Sequence, residues 1–197
     1  MMSKLRHITL LVFLVIFAVS CKEKSVPRPY GYFRIDLPAE SYQRFDTKIH
    51  PYSFDYNNIA TINEQSLAGE KYWIDIEYPE LSASIHCSYK PVKGDLFELL
   101  EDTRKIVYKH TVRADNISER PYENREQRLF GILYELSGNV ASPIQFVLTD
   151  STKHFFRGAL YFETTPNSDS IAPVLQYIQR DVMHLVESFE WKKIDFY

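Results

Sequence analysis

Glycine and cysteine are scarce in this sequence, and each shortage excludes a class of protein. Only 6 of the 197 residues are glycine, and no two of them are adjacent. No GxGxxG or GxxxxGK loop for holding phosphate groups can therefore be drawn, and the Gly-x-Ser-x-Gly elbow of many hydrolases is missing as well. The only cysteines are Cys21 and Cys87. If Cys21 is modified, Cys87 has no partner for an intramolecular disulfide.

An excess of positive charge and closely spaced metal ligands are also lacking. The formal net charge is −3, so electrostatics give no reason to expect a nucleic-acid partner. No two histidines stand three or four residues apart, the spacing that places two metal ligands on one face of a helix. The six histidines are His7, His50, His86, His110, His154 and His184. We therefore expect no metal site and no cofactor.

The first two dozen residues organise the rest of the chain. Lys4 and Arg6 precede an apolar run from Ile8 to Val19, which stops at Cys21. This run is shorter than the roughly 17–25 residues that a membrane-spanning helix needs, and it matches the apolar region of a secretory signal peptide. A small residue followed directly by cysteine resembles the bacterial lipoprotein signal, in which the cysteine is lipidated and becomes the mature N-terminus.

This N-terminal pattern predicts the domain organisation and the location of the protein. We expect a lipoprotein signal peptide over residues 1–20, the lipidated Cys21 and a tether over 21–29, and a single α+β domain over 30–197. The domain would then lie in the periplasm or at the cell surface, anchored to a membrane of the cell envelope. Ala18 departs from the leucine that is usual at that position of a lipoprotein signal. An ordinary secretory signal or an uncleaved anchor, with Cys21 incidental, is the alternative.

Hydrophobic patterning predicts an antiparallel sheet with two main amphipathic helices packed on it. Alternating residues indicate strands over 30–38, 53–56, 59–62, 71–78, 82–89, 129–136, 144–149 and 155–162. Asp95 and Glu98 have the spacing of a capping box and predict a first helix, and an apolar stripe from Ile171 to Phe189 predicts a second. The polar segment 114–127, which contains Pro121, is interpreted as a loop. Grouped strands that alternate with single helices are typical of α+β proteins, and their order also resembles the Mog1/PsbP-like fold.

Two local patterns are candidates for chemistry, and both favour a structural role. Cys87 alternates in phase with Ile85 and Tyr89, which predicts a buried structural thiol. Asp150, Ser151 and His154 contain the residue types of a hydrolase site. A tight hairpin turn cannot readily align three such close neighbours as nucleophile, base and orienting acid, and turns use Asp and Ser for backbone hydrogen bonds. We therefore expect no catalytic residue here.

Five groups of residues along the chain form a distinctive series. They are Ser88 to Val92; Tyr108 to His110 with Arg113 to Asp115; Phe130 to Tyr134 with Gly138 to Ala141; Gln145 to Phe155; and Tyr161 to Ile171. Together they resemble the gliding motility lipoprotein GldD family of Bacteroidetes, over nearly the whole chain including Cys21. No single group is diagnostic, and the resemblance depends on their order and extent.

This resemblance implies a non-enzymatic membrane lipoprotein that is needed for gliding and for the associated type IX secretion machinery. The implied partners are membrane lipid, through an N-terminus acylated with groups such as palmitate, and other envelope proteins of the machinery. The family offers no catalytic residues to assign. The alternative is a small-ligand or lipid-binding envelope lipoprotein with an apolar pocket. The 14 tyrosines and 13 phenylalanines suit such a pocket, although core packing explains them equally well.

Overall fold

The structure is a computed structural model that describes residues 37–67, 70–163 and 168–193. They lie in the second of two compact units, Arg34–Tyr197. The predicted signal peptide, Cys21 and the tether lie outside the described residues, as does most of the strand predicted over 30–38. Leu37 and Pro38, the last two residues of that prediction, are not in a strand.

The described elements are strands and two α-helices, joined in places by short 3-10 segments. In chain order they are β1 (Tyr42–Phe45), β2 (Tyr52–Asn57), β3 (Thr61–Leu67), β4 (Glu70–Tyr78), β5 (Ala83–Pro91), α1 (Leu96–Tyr108), β6 (Ala114–Asn124), β7 (Leu129–Gly138), β8 (Ile144–Thr149), β9 (His154–Phe162), α2 (Ser168–Ser188) and β10 (Glu190–Trp191). The 3-10 segments are Pro79–Leu81 and Lys109–Val112.

The strands form two antiparallel sheets. The larger sheet has the order β3-β4-β5-β9-β8-β7-β6, and the smaller one has the order β1-β2-β10. Antiparallel pairing together with two helices confirms the predicted α+β class. The smaller sheet was not predicted as a separate sheet. Its outer strands are only four and two residues long, too short to show a period of two.

The predicted hairpin between the fourth and fifth strands is confirmed. Ile74 pairs with Cys87 and Ile76 pairs with Ile85, and all four side chains are buried. The strand predicted at 59–62 begins two residues late, at Thr61. The two residues before it belong to a turn, in which the backbone N–H of Ala60 donates to the carbonyl of Asn57 at 3.0 Å.

The loop predicted over residues 114–127 is wrong for most of its length, because residues 114–124 form β6. This strand pairs with β7 along an almost continuous register. It lies at the edge of the sheet and is exposed on both faces for much of its length, so it lacks the alternation that marks a half-buried strand. Pro121 donates no backbone hydrogen bond, and an edge strand tolerates this because one side of its backbone has no neighbouring strand.

The two helices lie on opposite faces of the larger sheet. Val107 of α1 packs against Tyr134 and Leu136 of β7. Gln179 of α2 donates a hydrogen bond to Glu135 of the same strand at 2.6 Å. Because successive side chains of a strand point to opposite faces, these contacts place α1 on one face and α2 on the other.

The stripe predicted for the second helix is confirmed over most of its length. Its buried members are Val174, Ile178, Val182, Leu185, Val186 and Phe189, whereas Ile171 and Leu175 are half-buried. The first helix begins after Asp95 as predicted, but the predicted capping box is wrong. The Asp95 carboxylate accepts a hydrogen bond from the backbone N–H of Lys93 at 2.8 Å and makes none to the helix.

Aromatic side chains fill the space between the two sheets. The ring of Tyr52 in the smaller sheet lies 4.8 Å from that of Phe156 in the larger sheet, measured between centroids. Phe189, which follows α2, lies 5.1 Å from Phe156 and is stacked with Phe54. Much of the aromatic content is therefore core packing, where each large ring removes apolar surface from water.

Candidate functional site

Of the two cysteines, only Cys87 lies in the described residues. Its side chain is 3% exposed and on the core face of β5, as predicted. Burial raises the pKa of the Cys87 thiol well above its ordinary value, which disfavours the nucleophilic thiolate form. Cys21 lies outside the described residues, so its lipidation stays a prediction.

The group Asp150, Ser151 and His154 forms a hairpin turn. Asp150 Oδ1 accepts hydrogen bonds from the backbone N–H groups of Thr152, Lys153 and His154, at 2.7–3.0 Å. The backbone N–H of Ser151 donates to Thr149 Oγ1 at 3.0 Å. Among the described residues, no hydrogen bond joins Ser151 to His154. The carboxylate thus organises the turn, as the sequence predicted.

His154 and His50 are built into the aromatic packing between the sheets. His154 Nδ1 is 2.7 Å from the hydroxyl of Tyr89, and its ring stacks on Trp191 at 5.0 Å. His50 Nδ1 is 2.7 Å from Thr47 Oγ1. Both histidines are buried, and burial lowers the pKa of each below its ordinary value. Their neutral forms are favoured because charging a buried imidazole loses hydration.

The other described histidines have partners on the protein surface. His86 Nδ1 lies 2.7 Å from Asp75 Oδ1, and His184 stacks on Tyr42 with ring centroids 3.7 Å apart. His7 lies outside the described residues, and the side chain of His110 is not described. Within the described part of the chain, no group of three or more His, Cys, Asp or Glu residues is placed to hold a metal ion.

A buried carboxylate that the sequence analysis missed connects α2 to the smaller sheet. Asp181 is 2% exposed. It accepts hydrogen bonds from the hydroxyl of Tyr42 at 3.0 Å and from Asn57 Nδ2 at 3.0 Å. Burial raises the pKa of Asp181, and the hydrogen bonds oppose that shift in part. The available signal was the position of Asp181 on the apolar stripe, three residues after Ile178 and four before Leu185.

A second missed feature is a largely buried cation on the face of the larger sheet opposite to α2. Arg157 Nη2 donates to Gln145 Oε1 at 2.7 Å. Within the described residues, no carboxylate pairs with Arg157, and both its Nε and the Nε2 of Gln145 are buried without a hydrogen-bond partner. Burial lowers the pKa of Arg157. Buried donors of this kind cost free energy of folding.

A small cleft opens between α2 and the β6–β8 end of the larger sheet. Its lining includes Tyr122, Leu133, Leu148, Met183 and Val186, and its volume is about 30 Å³. Pockets for small ligands usually have a few hundred cubic ångströms or more. This cleft therefore does not favour the ligand-binding alternative.

The clearest unburied apolar surface follows the second half of α1. Ile106 is 39% exposed and Val112 is 90% exposed, and Lys105, Lys109 and Arg113 around them are exposed as well. Lys105 and Ile106 lie in the last turn of α1, and Lys109, Val112 and Arg113 follow in and just after the 3-10 segment Lys109–Val112. We name these five residues the 105–113 surface.

No helix among the described residues is long and apolar enough to cross a bilayer.

A sequence model of the family described as gliding motility lipoprotein GldD matches residues 22–191. The chain belongs to the GldD family. This confirms the resemblance drawn from the sequence, and with it the general role in gliding motility and the lipoprotein class. Family membership is consistent with a location in the cell envelope, with membrane anchoring and with envelope partners.

The other comparisons concern individual proteins. No curated protein sequence matches the chain. The solution structure of cyanobacterial PsbP (CyanoP) from Synechocystis sp. PCC 6803 is similar, with a TM-score of 0.44 and 15% sequence identity. The similarity covers 83% of this chain and 99% of the PsbP chain. Nothing about the function of this GldD-family chain follows from that similarity.

Proposed function

We propose that this chain is a lipid-anchored, non-enzymatic component of the gliding apparatus and of the type IX secretion machinery associated with it. The family match over residues 22–191 carries the proposal. Cys21 immediately precedes the matched region and is the residue that a lipoprotein signal would modify. Two or more acyl chains hold a protein on a membrane stably, whereas a single chain holds it only marginally.

The use of the candidate catalytic groups supports a binding role rather than an enzymatic one. Asp150 is occupied by three backbone N–H groups of its own turn. His154 is packed against Trp191 and bonded to Tyr89. A general base must reach the proton that it removes, and both side chains are held in contacts that serve the fold.

A strain whose own copy carries Cys21→Ala tests the anchored role. We expect loss of spreading on agar and loss of type IX secretion at an unchanged level of the protein, because the chain then lacks the acyl groups that hold the mature domain on its membrane. Cys87→Ala is the matched control, since it makes the same substitution at the other cysteine, and it should support both activities. Normal gliding and secretion by the Cys21→Ala strain would contradict the proposal.

A further inference from the structure

We propose that the 105–113 surface lies against anionic phospholipid in the membrane that holds the chain's lipid anchor. The proposal rests on the proposed function in one respect, because it requires the anchor at Cys21. It adds which side of the domain faces the membrane and which lipid chemistry that side recognises.

The two sides of this segment differ sharply in burial. On the inner side, Val107 is fully buried and Thr103 is nearly so. On the outer side, Val112 and Ile106 are exposed to solvent. An exposed apolar side chain is common when it stands alone, but these two lie beside three exposed basic residues on a short stretch of chain.

The charge around the 105–113 surface favours an anionic partner. Residues 103 to 114 contain four Lys or Arg residues and no Asp or Glu, while Asp102 and Asp115 flank this stretch and Glu119 accepts a hydrogen bond from the hydroxyl of Tyr108 at 2.8 Å. Lys105 forms an exposed ion pair with Asp102 at 3.2 Å, which solvent and salt weaken. Lys109 and Arg113 form no ion pair within the described residues. The acidic residues of α1 lie in its first half, at positions 98, 101 and 102.

A lipid surface suits this mixture better than a purely polar partner does. Lys and Arg side chains place their apolar stems along an apolar surface and extend the charged end towards water or phosphate. Segments with Lys or Arg on one flank and apolar side chains between them lie in the interface of anionic membranes. Val112 and Ile106 would enter the boundary between headgroups and acyl chains, while Lys105, Lys109 and Arg113 contact the phosphates.

The anchor makes this weak contact effective, and the chain is long enough to allow it. Fifteen residues separate Cys21 from Leu37, the first described residue. An extended chain spans at most about 3.3–3.6 Å per residue, so this segment reaches at most roughly 55 Å. A domain of this size has a radius of gyration of about 15 Å, so at that reach any side of the domain, including the 105–113 surface, can face the membrane that carries Cys21. Tethering turns this contact into an intramolecular event at high local concentration.

A polarity-sensitive dye tests the contact in the full lipidated chain reconstituted into vesicles. The dye is attached at Val112→Cys. It labels this site alone, because Cys87 is buried and the sulfur of Cys21 is in the thioether bond. On vesicles that contain phosphatidylglycerol, we expect a blue-shifted emission that quenchers attached to the lipid reduce. On vesicles of pure phosphatidylcholine, we expect the emission of a dye in water. Glu126→Cys, in the exposed turn between β6 and β7, is the control site, and its emission should be water-like on both.

Two charge variants of equal net charge localise the effect. Lys105→Gln, Lys109→Gln and Arg113→Gln together should weaken the contact by about fivefold for each charge removed. Lys48→Gln, Lys71→Gln and Lys153→Gln remove three exposed charges elsewhere and should leave it almost unchanged. Water-like emission at position 112 on anionic vesicles would overturn the proposal, as would equal emission on both lipids or equal effects of the two variants. Any of these results, obtained with normally lipidated protein, leaves the proposed anchored role intact.

Discussion

Replacing Leu185 by alanine tests the packing of the long second helix most sharply. Leu185 is 2% exposed and belongs to the same buried cluster as Ile178, Val182 and Phe189. The cluster contains side chains of α2 and of both sheets, so the removed atoms leave a cavity in this shared core. Truncation of a buried leucine to alanine costs about 2–5 kcal/mol, part of which depends on how far the site can collapse.

This cost corresponds to a large change in thermal stability. For a chain of this size, 1 kcal/mol shifts the melting temperature by about 2–4 °C. The Leu185→Ala chain should therefore melt about 4–20 °C below the wild type. The measurement is a thermal melt of the full chain in detergent, followed by circular dichroism.

Glu187→Ala is the matched control, because this exposed residue lies on the same helix two positions away. Exposed substitutions usually change stability by no more than about 0.5 kcal/mol, so its melt should overlay that of the wild type. If Leu185→Ala also melted with the wild type, the stripe would not be packed against the sheets. It would then have to be a free surface, and the arrangement of α2 described above would be refuted.

Three further predictions concern the polar groups. Because burial raises the pKa of Asp181, the folded chain keeps this proton longer than the unfolded chain, whose Asp pKa is about 3.9. The contribution of Asp181 to stability should therefore fall as pH rises from about 4 through the raised pKa. Thermal melts of Asp181→Asn at the same pH values should lack that fall, and equal pH profiles of the variant and the wild type would contradict the prediction. The double variant Arg157→Met with Gln145→Leu should be more stable than wild type by about 1–3 kcal/mol in urea unfolding, since it removes buried donors without partners; a loss of stability would show that they have partners. Ser151→Ala should glide like wild type at normal protein level, because its hydroxyl has no part in the proposed function, whereas lost motility would restore the hydrolase interpretation.

The elements that the sequence predicted well are those with one buried and one exposed face. The β4–β5 hairpin alternates cleanly because Ile74, Ile76, Ile85 and Cys87 all point into one core. The stripe of α2 is long enough to show its period over several turns. The Asp150 turn could be predicted because the carboxylate acts on its own backbone, within four residues.

The missed features depend on contacts between distant parts of the chain. Strand β6 has no buried face of its own over most of its length, and only its pairing with β7 makes it a strand. The partners of Asp181 are Tyr42 and Asn57, which lie 139 and 124 residues away in sequence. Local patterns contain no information on such pairings. The same holds for Arg157, whose burial depends on the elements that surround it.

Metabolic labelling with a fatty-acid probe tests the lipid anchor most directly. The wild type, Cys21→Ala and Cys87→Ala are expressed in the native host and recovered by the same affinity tag. We expect label on the wild type and on Cys87→Ala and none on Cys21→Ala, because the thioether to lipid forms at the sulfur of Cys21. Equal labelling of Cys21→Ala and wild type would contradict the anchor and the membrane role built on it.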